Sequence, residues 1–141
     1  MMARTATAEW KGDLMGGGGT VALGSGAFEG SYSFSSRFED KPGANPEELV
    51  GAANAACFSM ALANALAKAG FPATSVKTTA SVHLGKDDKG FLITRIDLVC
   101  VGAVPGVDDA TFQEHAAAAK SGCIISRALA ATEITLSATL A

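Results

Sequence analysis

The sequence predicts an α+β fold in which antiparallel sheet is combined with helices. Two observations carry this prediction. Residues 75–84 and 91–101 alternate apolar and polar side chains on either side of a turn, which is typical of a β-hairpin. A long alanine-rich segment, residues 46–69, carries the start and stop signals of a helix. The predicted order is β-β-β-α-β-β-α-α-β, in a single domain over residues 1–141.

The chain up to residue 38 is predicted to form three strands. The first two lie at residues 4–10 and 20–23, and the glycine run Gly16–Gly19 connects them as a flexible hairpin loop. A phosphate-binding loop is the other interpretation of this run. The sequence argues against it, because Gly-Lys-Ser/Thr and a following helix are both missing. The third strand is expected over residues 32–38, with its aromatic side chains on one face.

The long helix has a well-marked start and end. Asn45 can cap it, Pro46 suits the first helical position, and the two glutamates that follow favour the positive end of the helix dipole. Gly70 ends the helix after Ala69. Because the segment is apolar on most faces, we expect the helix to be buried.

The rest of the chain continues with strands and helices. The inward face of the hairpin is predicted to carry nine side chains, namely Val76, Thr78, Ala80, Val82, Leu84, Leu92, Ile96, Leu98 and Cys100. Either Asp108 or Asp109 caps a helix that runs to Lys120, and a short helix is expected over residues 123–131. The last strand begins near Ile134 and alternates apolar with polar residues. Since neighbouring hairpins are antiparallel, we expect antiparallel sheet throughout.

The composition excludes several classes of protein. With 48% hydrophobic and 18% charged residues, the chain is typical of a soluble globular protein. The net charge is −3 and basic residues do not cluster, so we expect no nucleic-acid partner. No apolar run is expected to span a membrane, and the first residues lack the apolar core of a signal peptide. We therefore expect a cytoplasmic location, and the two isolated histidines predict no metal site.

The cysteines point to thiol redox chemistry. Cys57 lies in the middle of the long helix, and Cys123 follows Ser121-Gly122 at the start of the short one. A sulfur near a helix N-terminus is favoured as the thiolate, and a second cysteine within reach can resolve an oxidised first one. Cys100 lies on the apolar stripe of a strand and is expected to be an inert core residue.

A reactive thiolate needs a positive neighbour, and Arg37 is the candidate. Glu47 and Glu48 could orient this arginine through a bidentate pair, or could simply favour the helix dipole. At 1.5 Å per residue, Glu47 lies about 15 Å along the helix axis from Cys57. One straight helix therefore cannot bring the two into contact, so the arginine spans the gap or another subunit supplies part of the site.

The helix motif resembles the central motif of the OsmC/Ohr family. It runs from Asn-Pro-Glu-Glu-Leu to Ala-Ala-Cys-Phe-Ser-Met-Ala-Leu within residues 45–62, and it fits the osmotically inducible OsmC branch better than the Ohr branch. The resemblance covers nearly the whole chain, with further matches at residues 8–13, 37–39 and 103–107 and at Gly122, Cys123 and Ser126.

The resemblance implies an activity and an assembly. Family members are thiol-dependent peroxidases that reduce organic hydroperoxides to alcohols in oxidative and osmotic stress defence. They are intertwined homodimers in which antiparallel sheets wrap central helices. By resemblance, Cys57 is the peroxidatic cysteine and Cys123 the resolving one, joined by a disulfide after turnover, while Arg37 and Glu47 activate the Cys57 thiolate. No bound cofactor is implied, and the reductant is an external dithiol, for example one of the lipoyl type.

The chain departs from the family pattern at one position. The family usually has proline after the second cysteine, where this chain has Ile124, and the loss of proline is expected to loosen that helical turn.

The alternative functions are a dimeric binding protein with inert thiols and a carrier of small apolar ligands in a crevice between subunits. For the enzyme, we expect Phe58, Met60, Leu62 and aromatic residues of the early strands to line the substrate site.

Overall fold

In the computed structural model, which describes residues 2–141, the chain forms two three-stranded sheets and four helices. The elements are β1 (Ala6–Lys11), β2 (Gly18–Leu23), β3 (Glu29–Tyr32), α1 (Phe34–Phe38), α2 (Pro46–Lys68), β4 (Ser75–Asp87), β5 (Gly90–Ala103), α3 (Asp109–Gly122), α4 (Ile124–Ala128) and β6 (Glu133–Leu140). The predicted α+β class is confirmed. The chain divides into two compact units, one ending at Leu49 and the other running from Val50 to Ala141.

The first unit contains an antiparallel sheet in the order β1-β2-β3. Trp10 of β1 and Tyr32 of β3 pack with their ring centroids 5.3 Å apart. Gly19 of β2 pairs with both residues, and a Cβ at Gly19 would lie 2.7 Å from the Tyr32 ring. Part of the glycine run thus belongs to β2, where the missing side chain lets two aromatic rings meet across the strand.

The predicted third strand is wrong over most of its length. β3 ends at Tyr32, and Ser33 begins a short helix, α1. Ser33 and Ser36 form a capping box, in which the Ser36 backbone N–H donates to Ser33 Oγ at 3.1 Å and the Ser33 N–H donates to Ser36 Oγ at 2.9 Å. Arg37 therefore lies on a helix rather than on a strand.

α2 begins and ends where the sequence predicts. Asn45 Oδ1 accepts from the Glu48 backbone N–H at 2.8 Å, and Gly70 adopts a positive φ of 90° just after the last turn. At 23 residues, α2 is long and apolar enough to cross a membrane by length and composition, contrary to the expectation that no such segment exists. Its fully buried Phe58, Leu62 and Leu66 instead belong to the core of the second unit.

Only part of the α2 surface is buried within the chain. The face opposite Phe58 carries small side chains and Met60, whose exposure is 75%. Ala53, Ala56 and Asn64 are exposed on this side of the helix as well. The predicted burial of α2 is therefore met within one chain for only part of the helix. An apolar helix face of this length needs a cover from elsewhere.

The sheet of the second unit is mixed, in the order β4-β5-β6. β4 and β5 form the predicted antiparallel hairpin, but β6 runs parallel to β5. The prediction of antiparallel sheet throughout is wrong here, because α3 and α4 carry the chain back across the sheet between β5 and β6. A crossover of this kind joins parallel neighbours.

A register shift changes the inward face at the tip of the hairpin. The pairing slips between His83 and Leu84, so the alternation that holds from Val76 to Val82 is broken. Leu84 and Leu92, both predicted to face inward, are 39% and 38% exposed, and Ile93 packs against the core in place of Leu92. Nearer the middle of the sheet, Cys100 is fully buried, as predicted.

Asp97 joins three strands on the opposite face of this sheet. Its carboxylate accepts from Thr135 Oγ1 at 2.6 Å and from Arg95 Nε at 2.8 Å, and it lies 2.7 Å from His83 Nε2. The hydrogen bond from Thr135 is the main cause that lowers the pKa of Asp97 to about 2, against the raising effect of burial, and Arg95 and His83 act in the same direction as Thr135. His83 is thus paired with a carboxylate.

We expect Asp97→Asn to lower the free energy of unfolding at neutral pH. The folded state holds the pKa of Asp97 near 2, below the unfolded value of roughly 3.9, so its contribution is present above the unfolded pKa and disappears as the pH falls through the folded one. Urea unfolding at several pH values should show the two proteins converging near pH 2. The exposed Asp88→Asn variant is the control, and an Asp97→Asn deficit that does not change with pH would contradict the assignment.

Candidate functional site

Two of the predicted site residues, Cys57 and Cys123, meet within the second unit. Both are free thiols, and the Cys57 thiol donates a hydrogen bond to the Cys123 sulfur. Cys57 is half-buried in the middle of α2, whereas Cys123 is only 1% exposed. The structure thus holds, side by side, a thiol that solvent can reach and one that it cannot.

Cys123 lies at the junction of α3 and α4 and takes part in both helices. Its backbone N–H donates to Ala119 O at 2.9 Å, which closes α3. Its sulfur accepts from the Ser126 backbone N–H at 3.4 Å, in the position of an N-cap for α4. The backbone N–H groups that the sequence predicts at this helix start therefore do face the sulfur.

The surroundings of Cys57 favour its neutral thiol form. Burial raises the pKa of Cys57, and the hydrogen bond to Cys123 raises it further. The backbone N–H groups of Ile125 and Ile124 act in the lowering direction without reversing the shift. The sequence interpretation expects the thiolate at Cys57, so the direction of the shift in this chain is the opposite of that expectation.

Cys123 is the sulfur that favours the charged form. Burial pushes its pKa upward, but the hydrogen bond from Cys57 and those from the Ser126 backbone N–H and hydroxyl outweigh burial, so the pKa lies below its ordinary value. Several donors converge on one buried sulfur, which is the arrangement that stabilises a thiolate. Of the two sulfurs, Cys123 is therefore the one at which the surroundings favour the charged form.

Asn54 is a further residue of this site that sequence reasoning missed. It lies one turn before Cys57 on α2 and is fully buried. Its Nδ2 donates to Ser126 Oγ at 3.0 Å and lies 3.8 Å from Cys123 Sγ. The sequence feature that could have identified Asn54 is its position, because it is a polar residue in an otherwise apolar stretch of helix, three residues before a candidate cysteine.

Ile124, at the position where the family resemblance leads us to expect proline, opens α4 with an exposed side chain. Its backbone N–H is one of the groups that lower the pKa of Cys57. A proline at this position has no N–H to offer. The substitution thus adds a donor at the Cys57 sulfur, an effect that the expected loosening of the turn leaves out.

Arg37 and Glu47 form a forked ion pair within the first unit. Arg37 Nη2 lies 2.7 Å from Glu47 Oε1, and Nε donates to both carboxylate oxygens at 3.2 Å. Glu47 is only 9% exposed, and the Arg37 guanidinium also lies over the Phe38 ring at 5.1 Å. The carboxylate and ring together fix the direction of the guanidinium. Glu48 is exposed and takes no part in this pair.

A cavity of about 290 Å³ in the first unit is bordered by Arg37 and by mainly aromatic side chains. The lining residues are Trp10, Leu14, Tyr32, Ser33, Phe34, Arg37 and Phe38. The aromatic residues expected near the substrate thus do line a cavity. Phe58 and Leu62, expected there as well, are core residues with no exposed surface, so that part of the expectation is wrong.

Comparison with known proteins identifies the family. A sequence model described as OsmC-like protein matches residues 38–138. The chain is 53% identical over 130 residues to the peroxiredoxin OsmC of Escherichia coli strain K12, covering 92% of this chain and 90% of that protein. The chain belongs to the OsmC family. The resemblance predicted from the helix motif, including its OsmC branch, is therefore confirmed.

Solved structures confirm the OsmC fold. An OsmC-like protein of unknown function from Vibrio cholerae matches with a TM-score of 0.80 at 20% identity, covering 99% of this chain and all of that chain (100%). The organic hydroperoxide resistance protein OhrB of Bacillus subtilis matches with a TM-score of 0.74 at 25% identity, covering 96% of this chain and 98% of that one. The α+β arrangement of this OsmC protein is shared by both.

Proposed function

We propose that this chain is a thiol peroxidase that reduces organic hydroperoxides to alcohols through Cys57 and Cys123. Its 53% identity to a protein named peroxiredoxin OsmC supports a peroxidase-type redox role. The finer proposal is carried by one observation, the hydrogen bond between a half-buried thiol and a buried thiolate-favouring cysteine. The name of the Bacillus subtilis neighbour, an organic hydroperoxide resistance protein, supports the substrate class.

The first step forms a sulfenic acid on Cys57. As its sulfur attacks the distal peroxide oxygen, the O–O bond breaks, an S–O bond forms, and the alkoxide leaves. The Cys123 thiolate, which already accepts a hydrogen bond from this thiol, takes the Cys57 proton. That proton then passes to the alkoxide, so the products are Cys57–SOH and the alcohol.

The second step forms the disulfide. The Cys123 thiolate attacks the sulfur of the Cys57 sulfenic acid, an S–S bond forms, and the oxygen leaves as water after it takes up a proton. An external dithiol, for which a lipoyl-type dithiol is our candidate, then reduces the disulfide by thiol–disulfide exchange. The cycle needs no bound cofactor. A cytoplasmic location, without nucleic-acid or membrane partners, stays a prediction from composition.

We expect Cys57→Ser to abolish peroxide reduction and Cys123→Ser to consume about one equivalent of peroxide and then stall, because only the first thiol meets the peroxide. Peroxide consumption and intact mass after stoichiometric cumene hydroperoxide measure both effects. The matched control is Cys100→Ala, since Cys100 lies in the core away from this chemistry. Multiple turnovers by Cys57→Ser would refute the assignment, and a wild-type chain without peroxide turnover would favour the apolar-ligand binding protein.

For Arg37 and Glu47 we propose the roles that the family resemblance implies, namely activation of the Cys57 thiolate. The forked pair supports this proposal, because a carboxylate that holds both Nε and Nη2 leaves the guanidinium aimed in one direction. A fixed positive charge would favour the charged form of Cys57, whose pKa burial otherwise raises.

Removal of this charge should slow the first step. We expect Arg37→Ala to reduce the rate of Cys57 oxidation about tenfold or more and to raise the pKa of Cys57, with Glu47→Ala weaker in the same direction. Arg37→Lys keeps the positive charge but removes the bidentate geometry of the guanidinium, so it tests the two contributions separately. The exposed Lys41→Ala variant is the control. Stopped-flow pH–rate profiles measure the effect, and an Arg37→Ala profile that overlays the wild type would rule out the role.

The aromatic cavity beside Arg37 is our candidate for the site of the organic group of the substrate. Each methylene that leaves water can contribute about 0.8 kcal/mol. We therefore expect kcat/KM to be higher for cumene hydroperoxide than for hydrogen peroxide. Phe34→Ala should lower the value for cumene hydroperoxide alone, whereas Phe91→Ala, at the start of β5 and 70% exposed, should change neither. Equal kcat/KM values for both peroxides in the wild type would exclude an organic-group site.

We also propose an obligate homodimer, in which sheets of both chains cover the exposed face of α2. Met60 and the small side chains beside it form an apolar surface that a second copy can bury. Sedimentation should show a dimer, and Met60→Glu should lose dimer and peroxidase activity together, unlike Met15→Glu, at a methionine that is 69% exposed. A compact wild-type monomer with full activity would disprove this assembly.

A further inference from the structure

Asn54 is an unusual residue for the place it occupies. It is fully buried in α2, among residues that otherwise supply the core. Of its two polar side-chain atoms, Nδ2 is hydrogen-bonded and Oδ1 has no partner within the described residues. A buried carbonyl oxygen without a donor is destabilising. An apolar side chain of similar size would avoid this loss, so packing alone does not explain an amide here.

The side-chain contacts of Asn54 are with Cys123 and with Ser126, which itself donates to the Cys123 sulfur. Its Nδ2 donates to Ser126 Oγ at 3.0 Å and approaches Cys123 Sγ at 3.8 Å. Ser126 in turn donates to the same sulfur with its backbone N–H, at 3.4 Å, and with its hydroxyl. Because Nδ2 occupies the acceptor side of the hydroxyl, the hydroxyl proton is left to point at Cys123. Asn54 thus sets the direction in which Ser126 donates.

We propose that Asn54 is a positioning residue for the resolving step, which holds Ser126 and the Cys123 sulfur in place for attack on the oxidised Cys57. The proposal rests on the peroxidase function proposed above and adds a residue to it. Asn54 and Cys57 lie three positions apart on α2 and therefore on one face of the helix. The same helix turn thus carries Cys57, whose sulfur is oxidised, and the Asn54 amide, which orients the donor to the resolving Cys123 sulfur.

The chemistry explains why such a residue is needed. In the resolving step Cys123 attacks as the thiolate, an S–S bond to Cys57 forms, and the S–O bond breaks with loss of hydroxide, which becomes water. Before oxidation, the Cys57 thiol is itself a donor to Cys123. Once Cys57 is a sulfenic acid its S–H group is gone, whereas the Ser126 donors, oriented by Asn54, remain on the Cys123 sulfur and favour its charged form as it attacks.

The test compares Asn54→Leu, which keeps the volume and removes the amide, with Asn54→Asp, which keeps the shape and removes the donor. Rapid mixing with one equivalent of cumene hydroperoxide, followed by acid quench and mass analysis, measures sulfenic acid and disulfide separately. We expect disulfide formation to slow about tenfold or more in both variants, as for a lost hydrogen bond to a charged group, while sulfenic acid formation slows less. The control is Asp88→Leu, a change at an exposed polar residue in the turn between β4 and β5.

A second measurement separates positioning from simple support of the fold. Ultraviolet titration of the thiolate, in a chain with Cys57→Ser and Cys100→Ala so that Cys123 is the remaining thiol, follows the charge on that sulfur. We expect Asn54→Leu and Ser126→Ala each to move the titration to higher pH, and Asn54→Asp to move it furthest, because it adds a nearby negative charge. Should Asn54→Leu fail to fold, Ser126→Ala carries both measurements.

Two results are distinguishable. If the wild type forms the Cys57–Cys123 disulfide and both Asn54 variants form it at the same rate with an unchanged Cys123 titration, the role of Asn54 is overturned and the peroxidase proposal stands. If the wild type forms no such disulfide, the peroxidase proposal itself is overturned, and the role of Asn54 with it.

Discussion

The hydrogen bond between Cys57 and Cys123 is the interaction on which the rest of the site depends. It requires the first turn of α4 to lie against the middle of α2, two elements far apart in the sequence. That placement follows from the core, where Phe58 and Leu62 of α2 and Phe112 of α3 share one buried cluster with the β5 strand. Gly102 of β5 permits the contact, because a Cβ there would meet the Phe112 ring at 2.6 Å.

Local signals in the sequence predict the elements better than they predict the sheet. The ends of α2 follow from Asn45 and Gly70, whose effects are local. The parallel pairing of β6 with β5 depends on how α3 and α4 cross the sheet, which no short segment encodes. α1 was missed because its capping box uses serine at both positions, where glutamate or glutamine is the more familiar partner.

The candidate site shows the same division between local and long-range information. The helix motif predicts which cysteines matter, since residue types and spacing are enough to identify the family. It does not predict which sulfur has the lowered pKa, because that depends on donors that the fold brings together. Arg37 was predicted on a strand and lies on a helix, yet its pairing with Glu47 matches the bidentate arrangement considered from the sequence.

The location of the charge has a consequence for how the reduced site works. Cys123, whose pKa is lowered, is shielded from solvent, while Cys57, the thiol that solvent can reach, has the raised pKa. Because thiolates are the form that reacts with electrophiles, this arrangement keeps the sulfur that more readily carries charge away from solvent. Transfer of the proton from Cys57 to Cys123 exchanges these roles, and a positive charge such as that proposed for Arg37 would favour the exchange. In the proposed mechanism, this proton transfer brings the thiolate to the sulfur that meets the peroxide.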